Sequence, residues 1–384
     1  MIEYSANWQK FRRQMPASDH LAYFDHAAVA PISGPARSAI SQWAQQAAEM
    51  GDTVWPKWER RVNEVRRTAA QMIGADPTEV ALVPNTTTGI NLVAEGYPWR
   101  EGDNVVTLAN EFPSNLYPWM NLANRGVRTR ALAPNAIGVD LDLIEDAFDD
   151  RTRIVSISWV GFATGWRIDI QQLVERAHRR GILVFLDAIQ GLGVFPIDVH
   201  DIGLDFLAAD GHKWMLGPEG AGVFYVRSEH LDLLRPLNVG WNSVQNSHDF
   251  SRCEWKVRPD AVRYEGGSQN MIGVAALGAS LDLLCNFGLT KTESPIADRI
   301  LEVNRHVAER LTAIGAVIKS SLDPDHTSGI LAFDLPDRDL TAARKRCLQA
   351  GVVLSVRNDW LRVSPHAYVD EQDVDRLIDA LNGA

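Results

Sequence analysis

The sequence predicts an α/β protein with a large domain and a smaller α+β domain at its C-terminal end. Short apolar runs alternate with amphipathic segments through the first part of the chain, as they do where buried strands are joined by helices. After about residue 240 the sequence becomes polar and irregular, and a second set of helix and strand patterns follows. A length of 384 residues exceeds what one ordinary core supports, which also favours two domains.

Apolar runs in the first part of the chain are predicted to be strands of one sheet. Runs this apolar are typical of strands that are buried on both faces, as in a parallel or mixed sheet that helices cover. Amphipathic segments over 86–95 and 170–180 are predicted to be helices between such strands. The predicted strands are Val80–Val83, Asn104–Ala109, Ile154–Val160, Ile182–Leu186, Phe206–Ala209 and Gly222–Val226.

The last part of the chain predicts a smaller domain in which helices and strands mix. Asp370 is the expected N-cap of the final helix. We therefore predict a large domain over 16–245 and a small domain over 246–384, with residues 1–15 folding back onto the small domain. Helical patterns cover 295–314, 340–350 and 371–381, and strands are expected over 329–333, 352–356 and 361–363.

The composition is that of a globular protein with a net negative charge. Apolar residues make up 46% and charged residues 23% of the chain, and the formal charge of -11 argues against nucleic acid and anionic membranes as partners. No apolar run reaches the length of a membrane span, and no Cys/His cluster has the spacing of a metal site. Cys253, Cys285 and Cys347 are widely spaced, and the N-terminus resembles no signal peptide, so we expect a cytoplasmic protein without disulfides.

The segment from Ala209 to Gly222 places a single lysine, Lys213, in a glycine-punctuated turn directly after His212. Lysines usually lie on exposed surfaces, where water solvates the charge. A desolvated lysine loses its proton readily and becomes a nucleophile that forms a Schiff base with a carbonyl. The turn by itself is equally compatible with a solvated surface lysine.

Other features fit the same chemistry. Asp187 ends a predicted strand, where a carboxylate faces a ligand at the sheet edge or satisfies backbone donors of a turn. The run Asn85–Asn91 begins a predicted helix, whose free N–H groups suit a phosphate, although plain capping explains the threonines as well. Phe112 follows a predicted strand, where an aromatic ring stacks on a flat cofactor or packs into the core.

A phosphate cradle, a stacking ring, a strand-end aspartate and a turn lysine occur in this order along the chain. The chain resembles the fold-type I pyridoxal-phosphate enzymes of the class V aminotransferase family, a group with cysteine desulfurases, kynureninases and isopenicillin N epimerases. The resemblance runs from the motif over 23–28 to the final helix. It implies a large domain with a mostly parallel seven-stranded sheet covered by helices, and a smaller α+β C-terminal domain.

The resemblance assigns roles to individual residues around the cofactor ring. Lys213 is expected to form the Schiff base with pyridoxal phosphate and to act as the base at the substrate's α-carbon. Asp187 is expected to pair with the pyridine nitrogen and Gln190 to contact the ring hydroxyl. Phe112 is expected to stack on the ring, at a position where many members of the family have histidine and kynureninases have phenylalanine.

The resemblance also implies how the cofactor phosphate is bound. His212 and Thr87, together with the backbone of Thr86, are expected to hold the phosphate. Gly267 and Ser268 match the stretch that reaches the phosphate of the partner subunit. A homodimer with shared active sites is therefore expected.

Candidate substrate-binding residues follow from the same resemblance. Arg362 matches the arginine that binds the substrate carboxylate, and a guanidinium suits this role because it donates two parallel hydrogen bonds. Arg357 lies close to it in sequence and is the alternative. The positions of Trp159, Trp214, Trp241 and Trp360 near the predicted site segments predict an aromatic-lined substrate pocket, to which Trp241 is assigned. His26, from the N-terminal motif, is expected to contact the substrate.

The chain departs from the cysteine desulfurase pattern in three places. Cysteine desulfurases carry a persulfide-forming cysteine on a loop shortly before the position of Arg362, whereas the stretch over 356–360 is short and has no cysteine. Asp210 stands where desulfurases often have a phosphate-binding serine, and we expect it to face away from the phosphate. Phe162 replaces an asparagine that many members use near the ring hydroxyl.

The resemblance implies an enzyme that acts on an amino acid or a related amine through a carbanion at the α-carbon. Transamination is the foremost expectation, which makes the chain a class V aminotransferase. The alternatives are a carbon–sulfur lyase that needs no enzyme persulfide, a cysteine desulfurase-like enzyme and an epimerase. A pyridoxal-phosphate protein without catalytic activity is a further alternative.

Overall fold

The computed structural model describes residues 5–134 and 138–383 as a central sheet covered by helices with a smaller sheet beside it. The strands are β1 Ala22–Tyr23, β2 Val80–Val83, β3 Asn104–Leu108, β4 Arg128–Leu132, β5 Thr152–Ser158, β6 Leu183–Asp187, β7 Phe206–Asp210, β8 Gly222–Val226, β9 Val317–Ile318, β10 Leu331–Asp334, β11 Val352–Val353, β12 Ser355–Arg357 and β13 Trp360–Val363. The helices are α1 Ala6–Arg12, α2 Gly34–Met50, α3 Trp55–Ile73, α4 Thr86–Gly96, α5 Tyr117–Met120, α6 Leu141–Asp146, α7 Ile170–His178, α8 Met271–Asn286, α9 Pro295–Ala313, α10 Leu340–Gln349 and α11 Glu371–Asn382.

The central sheet has seven strands in the order β2-β8-β7-β6-β5-β3-β4. Strand β8 runs antiparallel to β7 and to β2, and the other neighbours pair in parallel. Parallel neighbours need crossover connections, which place helices on the faces of the sheet. The predicted α/β class with a mostly parallel seven-stranded sheet is confirmed.

Each strand predicted for the central sheet is present within about two residues of its expected ends. Strand β4 was not predicted. It lies at the edge of the sheet, and its residues Arg128–Leu132 are exposed or only half-buried. An edge strand that faces solvent lacks the continuous apolar run by which the other strands are recognised.

The hydrophobic cores divide the chain at a different place from the predicted boundary between 245 and 246. Val274, Leu277 and Leu281 of α8 belong to the core of the large domain, and α8 packs along α2 and α3. In this part of the chain, the core of the small domain begins at Val303, within α9. The change to a polar, irregular sequence near residue 240 therefore marks a surface segment of the large domain.

The small domain is built on a four-stranded antiparallel sheet in the order β12-β13-β10-β9. Helix α11 begins at a capping box in which Asp370 accepts from the N–H of Asp373, as the sequence predicts for its N-cap. The predicted strand over 352–356 forms two short strands in different sheets. Its first part, β11, pairs in parallel with β1 from the N-terminal segment.

Helix α1 joins the two domains rather than belonging to the small one alone. Arg12 donates to Asp373 of α11 at 2.5 Å, while the neighbouring Phe11 packs edge-on against Phe287 after α8, with ring centroids 4.7 Å apart. Arg12 thus contacts the small domain, where residues 1–15 are expected to fold back, and Phe11 contacts the large domain. Residues 1–4 of that expectation lie outside the described residues.

Within 5–134 and 138–383, no helix is both long and apolar enough to cross a bilayer. Over the same residues there is no cluster of His, Cys, Asp and Glu side chains suited to a metal ion.

Gly89 sets how closely α4 packs on the central sheet. A Cβ at this position would lie 2.5 Å from Cβ of Ala208 in β7 and 3.3 Å from the Phe224 ring. The Ala208 Cβ is fixed by the backbone of a buried strand, so the overlap must move the helix or the strand.

We predict that Gly89→Ala destabilises the protein by about 1–3 kcal/mol, which exceeds the gain of about 1 kcal/mol in helix propensity. Urea unfolding followed by circular dichroism measures the effect. Glu95→Gln, on the half-buried side of the same helix, is the control and should leave the midpoint nearly unchanged. A raised midpoint for Gly89→Ala would show that the close approach is unimportant.

Candidate active site

A cavity of about 270 Å³ lies at the carboxyl ends of the central parallel strands, the edge at which open α/β sheets bind ligands. Its walls come from the N-terminal segment, from the loops that follow the central strands and from the small domain. Most of the residues that are predicted from the sequence to take part in catalysis and binding line this cavity. These residues are Thr86, Thr87, Phe112, Asp187, Gln190, His212, Lys213 and Arg362.

Lys213 is buried in the wall of this cavity, with 8% of its surface exposed. Burial lowers the pKa of Lys213 to about 8, and the positive charges of Arg362 and Arg357 act in the same direction against the opposing charges of Asp187 and Asp210. Its Nζ lies 5.7 Å from the centre of the Phe112 ring. The structure therefore excludes the solvated surface lysine, and the site favours a neutral, nucleophilic amine.

The turn that carries Lys213 is held in place by backbone hydrogen bonds. The N–H of Gly211 donates to the carbonyl of Ala221 at 2.9 Å, and the N–H of Gly217 donates to that of Gly211 at 2.9 Å. A Cβ on Gly211 would lie 2.6 Å from the Ala221 oxygen, so a larger residue does not fit. The glycines seen in the sequence thus close the loop tightly around the lysine.

Asp187 is the last residue of β6 and is almost fully buried at the cavity wall. Burial raises its pKa to about 6, and a hydrogen bond from the N–H of Ile189 and the charge of Lys213 oppose this rise. The bond from Ile189 is 3.1 Å long and reaches Oδ1. Asp187 therefore both closes the turn after β6 and presents a carboxyl group to the cavity.

The N-terminus of α4 forms a second wall of the cavity. Asn85 caps this helix by accepting from the N–H of Thr88 at 2.8 Å. Thr86 Oγ1 accepts from the N–H of Asp210 at 2.9 Å, which joins the helix start to the end of β7. Thr87 donates to Ser114 Oγ at 2.9 Å. Hydroxyl groups and a positive helix end here suit an anionic group such as a phosphate.

Asp210 faces this anion cradle, and the expectation that it points elsewhere is wrong. It lines the cavity with Thr86 and His212. Its Oδ1 accepts from the N–H of Gly211 at 2.7 Å, and its Oδ2 lies 2.9 Å from Nδ1 of His212. The carboxyl group of Asp210 thus lies between the N–H of Gly211 and the imidazole of His212 at the cavity wall.

Phe112 and Phe162 form an apolar wall opposite the charged groups. Phe112 is 45% exposed, so it is not part of the core, and its open ring face is free to stack on a flat ligand. Its ring meets Phe162 edge-on at 5.4 Å with an interplanar angle of 77°. Phe162, which the resemblance places where many members of the family have asparagine, thus packs its ring against Phe112.

Gln190 is fixed at the cavity wall by both ends of its amide group. Nε2 donates to the carbonyl of Ala27 at 3.0 Å, and Oε1 accepts from the indole of Trp214 at 2.8 Å. These bonds leave one N–H of the amide for a ligand. The assigned contact with a ring hydroxyl is compatible with this geometry.

Two arginines of the small domain reach the cavity from β12 and β13. Arg362 is 1% exposed, and it donates to the carbonyl of Phe162 at 2.6 Å and to Asp25 Oδ1 at 3.2 Å. Arg357 is half-buried and donates to the carbonyl of its own neighbour, Val356, at 2.9 Å. Arg362 is therefore the pre-oriented guanidinium of the two, and Arg357 has the freer side chain.

His26 does not reach the cavity, which corrects the expected contact with the substrate. It is fully buried, its Nδ1 is bonded to the carbonyl of Ser364 at 3.0 Å, and its Nε2 is bonded to the hydroxyl of Tyr368 at 2.9 Å. Burial lowers its pKa to about 4. His26 thus packs between the domains, and the residue that follows it, Ala27, lines the cavity instead.

Trp241 also lies outside the Lys213 cavity of its own chain, so the aromatic substrate pocket expected there is not formed within one subunit. It lines two other cavities, together with Phe250 in one and with Gly267 and Ser268 in the other. Gly267 and Ser268 therefore do not meet the Lys213 of the same chain.

Two residues at or behind the wall of the Lys213 cavity were not predicted from the sequence. Ser158 ends β5 and lines the cavity, and it lies next to Asp187 in the sheet register. Glu111 lies behind Ser158 and is buried. A polar residue at the end of an apolar strand was the available signal for Ser158. Glu111 had no local signal, because its burial depends on the fold of the loop after β3.

The assembled groups fit pyridoxal phosphate. A buried amine with a lowered pKa suits a Schiff base, and a buried carboxyl group at a strand end suits a pyridine nitrogen. A helix N-terminus with hydroxyl groups and an imidazole suits a phosphate, and an open phenylalanine face suits an aromatic ring.

Comparisons with known proteins identify the family of the chain. The profile of the family described as Aminotransferase class-V matches residues 22–377. A probable cysteine desulfurase of Methanothermobacter thermautotrophicus is 32% identical over 333 residues, which cover 85% of this chain and 81% of the relative. The crystal structure of the cysteine desulfurase CsdA from Escherichia coli superposes with a TM-score of 0.86 at 26% identity, covering 99% of this chain and 98% of that one. A structure of C-DES with glycine covalently linked to its pyridoxal phosphate has a TM-score of 0.90 at 21% identity, covers 96% of this chain and 98% of that one, and shows the likeness of fold.

We predict that uptake of pyridoxal phosphate by the apoprotein becomes faster as the pH rises through about 8, because only the neutral amine of Lys213 attacks the aldehyde. Stopped-flow absorbance measures this rate. Asp187→Asn should move the midpoint to lower pH, because the negative charge of Asp187 raises the pKa of Lys213. Asp282→Asn, on the partly exposed side of α8, is the control. A midpoint near the ordinary value of a solvated lysine would contradict the assignment.

Proposed function

Because the chain belongs to the aminotransferase class-V family of pyridoxal-phosphate enzymes, we propose that it cleaves a carbon–sulfur bond without an enzyme persulfide. The substrate class is cysteine, cystine or a related β-thio amino acid. The reaction is a β-elimination that yields a keto acid, ammonia and the released sulfur species.

The observation that carries this proposal is the short turn between β12 and β13. Arg357 pairs with Trp360, so only Asn358 and Asp359 connect the strands. Both have positive φ, 49° and 63°, as in a two-residue type I′ hairpin. This hairpin stands where the resemblance places the cysteine-bearing loop of the desulfurases, and it leaves no room for such a loop.

None of the three cysteines lines the Lys213 cavity of its own chain. Cys347 is fully buried in α10, and burial raises the pKa of its thiol to about 11. Burial also raises the pKa of the Cys285 thiol, in α8. Cys253 is exposed in the irregular segment and lines a cavity with Trp241 rather than the one with Lys213. We therefore propose that the sulfur leaves as a group of the substrate itself, and that no cysteine of the enzyme accepts it.

Four residues of the cavity have a task in the proposed reaction. Arg362 binds the substrate carboxylate, Phe112 covers one face of the ring, and Asp187 keeps the ring nitrogen protonated. Pyridoxal phosphate, when bound, withdraws electrons from the substrate's Cα. Nζ of Lys213 then accepts the α-proton, and the lowered pKa makes it a base at neutral to mildly alkaline pH.

The chemical balance needs no external oxidant or reductant. The Cα–H bond breaks with its proton going to Lys213, and the electron pair left on Cα forms a Cα–Cβ double bond as the Cβ–S bond breaks. The sulfur leaves with the electrons of that bond as hydrosulfide from cysteine, or as a cysteine persulfide anion from cystine. Water hydrolyses the resulting unsaturated amine to pyruvate and ammonia.

The relatives support this reaction better than transamination, which is the foremost expectation from the sequence alone. The probable desulfurase of Methanothermobacter acts, by its name, on cysteine, and the CsdA structure is also that of a cysteine desulfurase. Transamination, epimerisation and binding without catalysis are outcomes that the experiments below distinguish.

We further propose a homodimer with shared active sites in the cytoplasm. Gly267 and Ser268 line a cavity of about 370 Å³ that is separate from the one with Lys213. Their assigned role at a phosphate therefore requires a second copy of the chain. The unpaired cysteines support the reducing compartment.

We expect L-cysteine and L-cystine to yield pyruvate and ammonia in equal amounts, with sulfide or persulfide as the sulfur product. Replacing Cys253, Cys285 and Cys347 together by alanine or serine should leave the turnover per folded active site unchanged. Lactate dehydrogenase coupling measures pyruvate, and methylene blue measures sulfide.

Other outcomes would overturn the proposal. Alanine as the product, with activity lost in Cys253→Ala, would indicate a desulfurase with an enzyme persulfide. Pyridoxamine phosphate with a keto acid would indicate transamination, and a racemised amino acid would indicate epimerisation. A folded protein that binds the cofactor and converts no amino acid would indicate a non-catalytic role.

Arg362→Ala should lower kcat/KM by about 10- to 100-fold, because a charge-assisted hydrogen bond to the carboxylate contributes about 1.5–3 kcal/mol. The loss should appear mainly in KM. Arg357→Ala is the matched control and should have a smaller effect, because Arg362 is the pre-oriented group. A larger loss for Arg357→Ala would reverse the two assignments.

A further inference from the structure

Glu111, the residue before the stacking Phe112, is a buried carboxyl group that the proposed reaction leaves unused. It is 7% exposed. Oε1 accepts from the N–H of Ser158 at 2.7 Å, and Oε2 is hydrogen-bonded to the Ser158 hydroxyl. No cationic side chain forms an ion pair with it among residues 5–134 and 138–383. A carboxylate buried without an ion pair costs stability, and its hydrogen bonds to Ser158 offset this cost.

Ser158 connects Glu111 to the cofactor site. It is the last residue of β5 and lies opposite Asp187 in the parallel register of β5 and β6. Ser158 also lines the cavity that contains Lys213. Glu111 therefore lies one hydrogen bond behind the cavity wall, with a direct bond to a residue of that wall.

We propose that Glu111 is a positioning residue for the cofactor site, which holds Ser158 and the Phe112 loop against the end of β5 and places a second negative charge near Asp187. It acts through Ser158, Phe112 and the local field, and touches neither the substrate nor the reacting atoms. The proposal rests on the pyridoxal-phosphate site alone and is independent of the substrate.

The surroundings of Glu111 set the pH range in which its carboxyl group carries a negative charge. Burial raises the pKa of Glu111 to about 7, and the charge of Asp187 acts in the same direction, whereas hydrogen bonds from Ser158 and Asn115 oppose it. Asp187 is the charged group that faces it from the neighbouring β6, and Ser158 faces it from β5. The carboxyl group is thus ionised at the mildly alkaline pH where Lys213 works, and protonated below neutrality.

A negative charge at this place stabilises positive charge in the cavity. Asp187 already raises the pKa of Lys213, and Glu111 adds to the same field from behind the wall. The pH at which the bound cofactor changes its visible absorption reports this field, because the change follows protonation at the nitrogen that Lys213 supplies. No substrate is needed for this measurement.

The experiment is a pH titration of the visible absorption of the holoenzyme. Glu111→Gln should move the midpoint to lower pH by about half a unit or more, because it removes the charge and keeps the shape. Ser158→Ala should move it in the same direction by less, because losing the hydroxyl raises the pKa of Glu111. Glu111→Gln should also weaken pyridoxal phosphate binding several-fold, measured by equilibrium dialysis.

Glu79→Gln is the matched control. Glu79 is also a buried glutamate, but it accepts from the N–H groups of Asp76 and Ser228, away from the cavity. Its replacement should leave the titration midpoint unchanged even where it lowers stability.

A folded Glu111→Gln holoenzyme with the wild-type midpoint would overturn the proposal. Should that variant not fold, a wild-type midpoint in Ser158→Ala would overturn it equally. A midpoint shift in Glu79→Gln as large as that in Glu111→Gln would show that loss of stability, rather than the local charge, causes the effect. Because the titration uses no substrate, failure of the carbon–sulfur lyase proposal leaves this test intact.

Discussion

The burial of Lys213 at the carboxyl edge of the central sheet is the constraint on which the rest of the site depends. An ammonium removed from water is costly, so the neutral amine is favoured unless opposite charges surround it. Charges of both signs surround the amine. The carboxylates of Asp187 and Asp210 raise the pKa of Lys213, and the guanidinium groups of Arg362 and Arg357 lower it. The resulting pKa of about 8 makes this lysine both a nucleophile and a base near neutrality.

The same edge of the sheet is where the two domains meet, so substrate binding depends on their junction. Arg362 comes from the small domain, Asp25 from the N-terminal segment and Phe162 from the loop after β5, and hydrogen bonds join all three. That loop is tied to the small domain a second time, where Trp166 stacks on His326 with ring centroids 3.9 Å apart. The guanidinium of Arg362, which we propose as the carboxylate-binding group, is therefore oriented before any substrate arrives, which lowers the entropy cost of binding.

Small changes around a common site separate the reactions of one family. The wall with Lys213, Asp187 and the α4 N-terminus serves any removal of an α-proton, whereas the next step depends on what lies beside the substrate. In this chain the two-residue turn at Asn358 and Asp359 removes the place of an enzyme nucleophile. The proposed role of the buried Glu111 is different, since its negative charge changes the electrostatic field at the cofactor without contact with the substrate.

The amino-acid sequence predicts the α/β class, the central strands and most residues that line the Lys213 cavity, because apolar runs, strand-end polar residues and a glycine-rich turn are local patterns. It missed the half-exposed edge strand β4, which has no apolar run. The contacts between side chains that are distant in sequence are set by tertiary packing. His26 and Trp241 lie outside the cavity, while Glu111 reaches Ser158. The reason is physical: burial and side-chain direction depend on packing between segments far apart in sequence, which local patterns do not record.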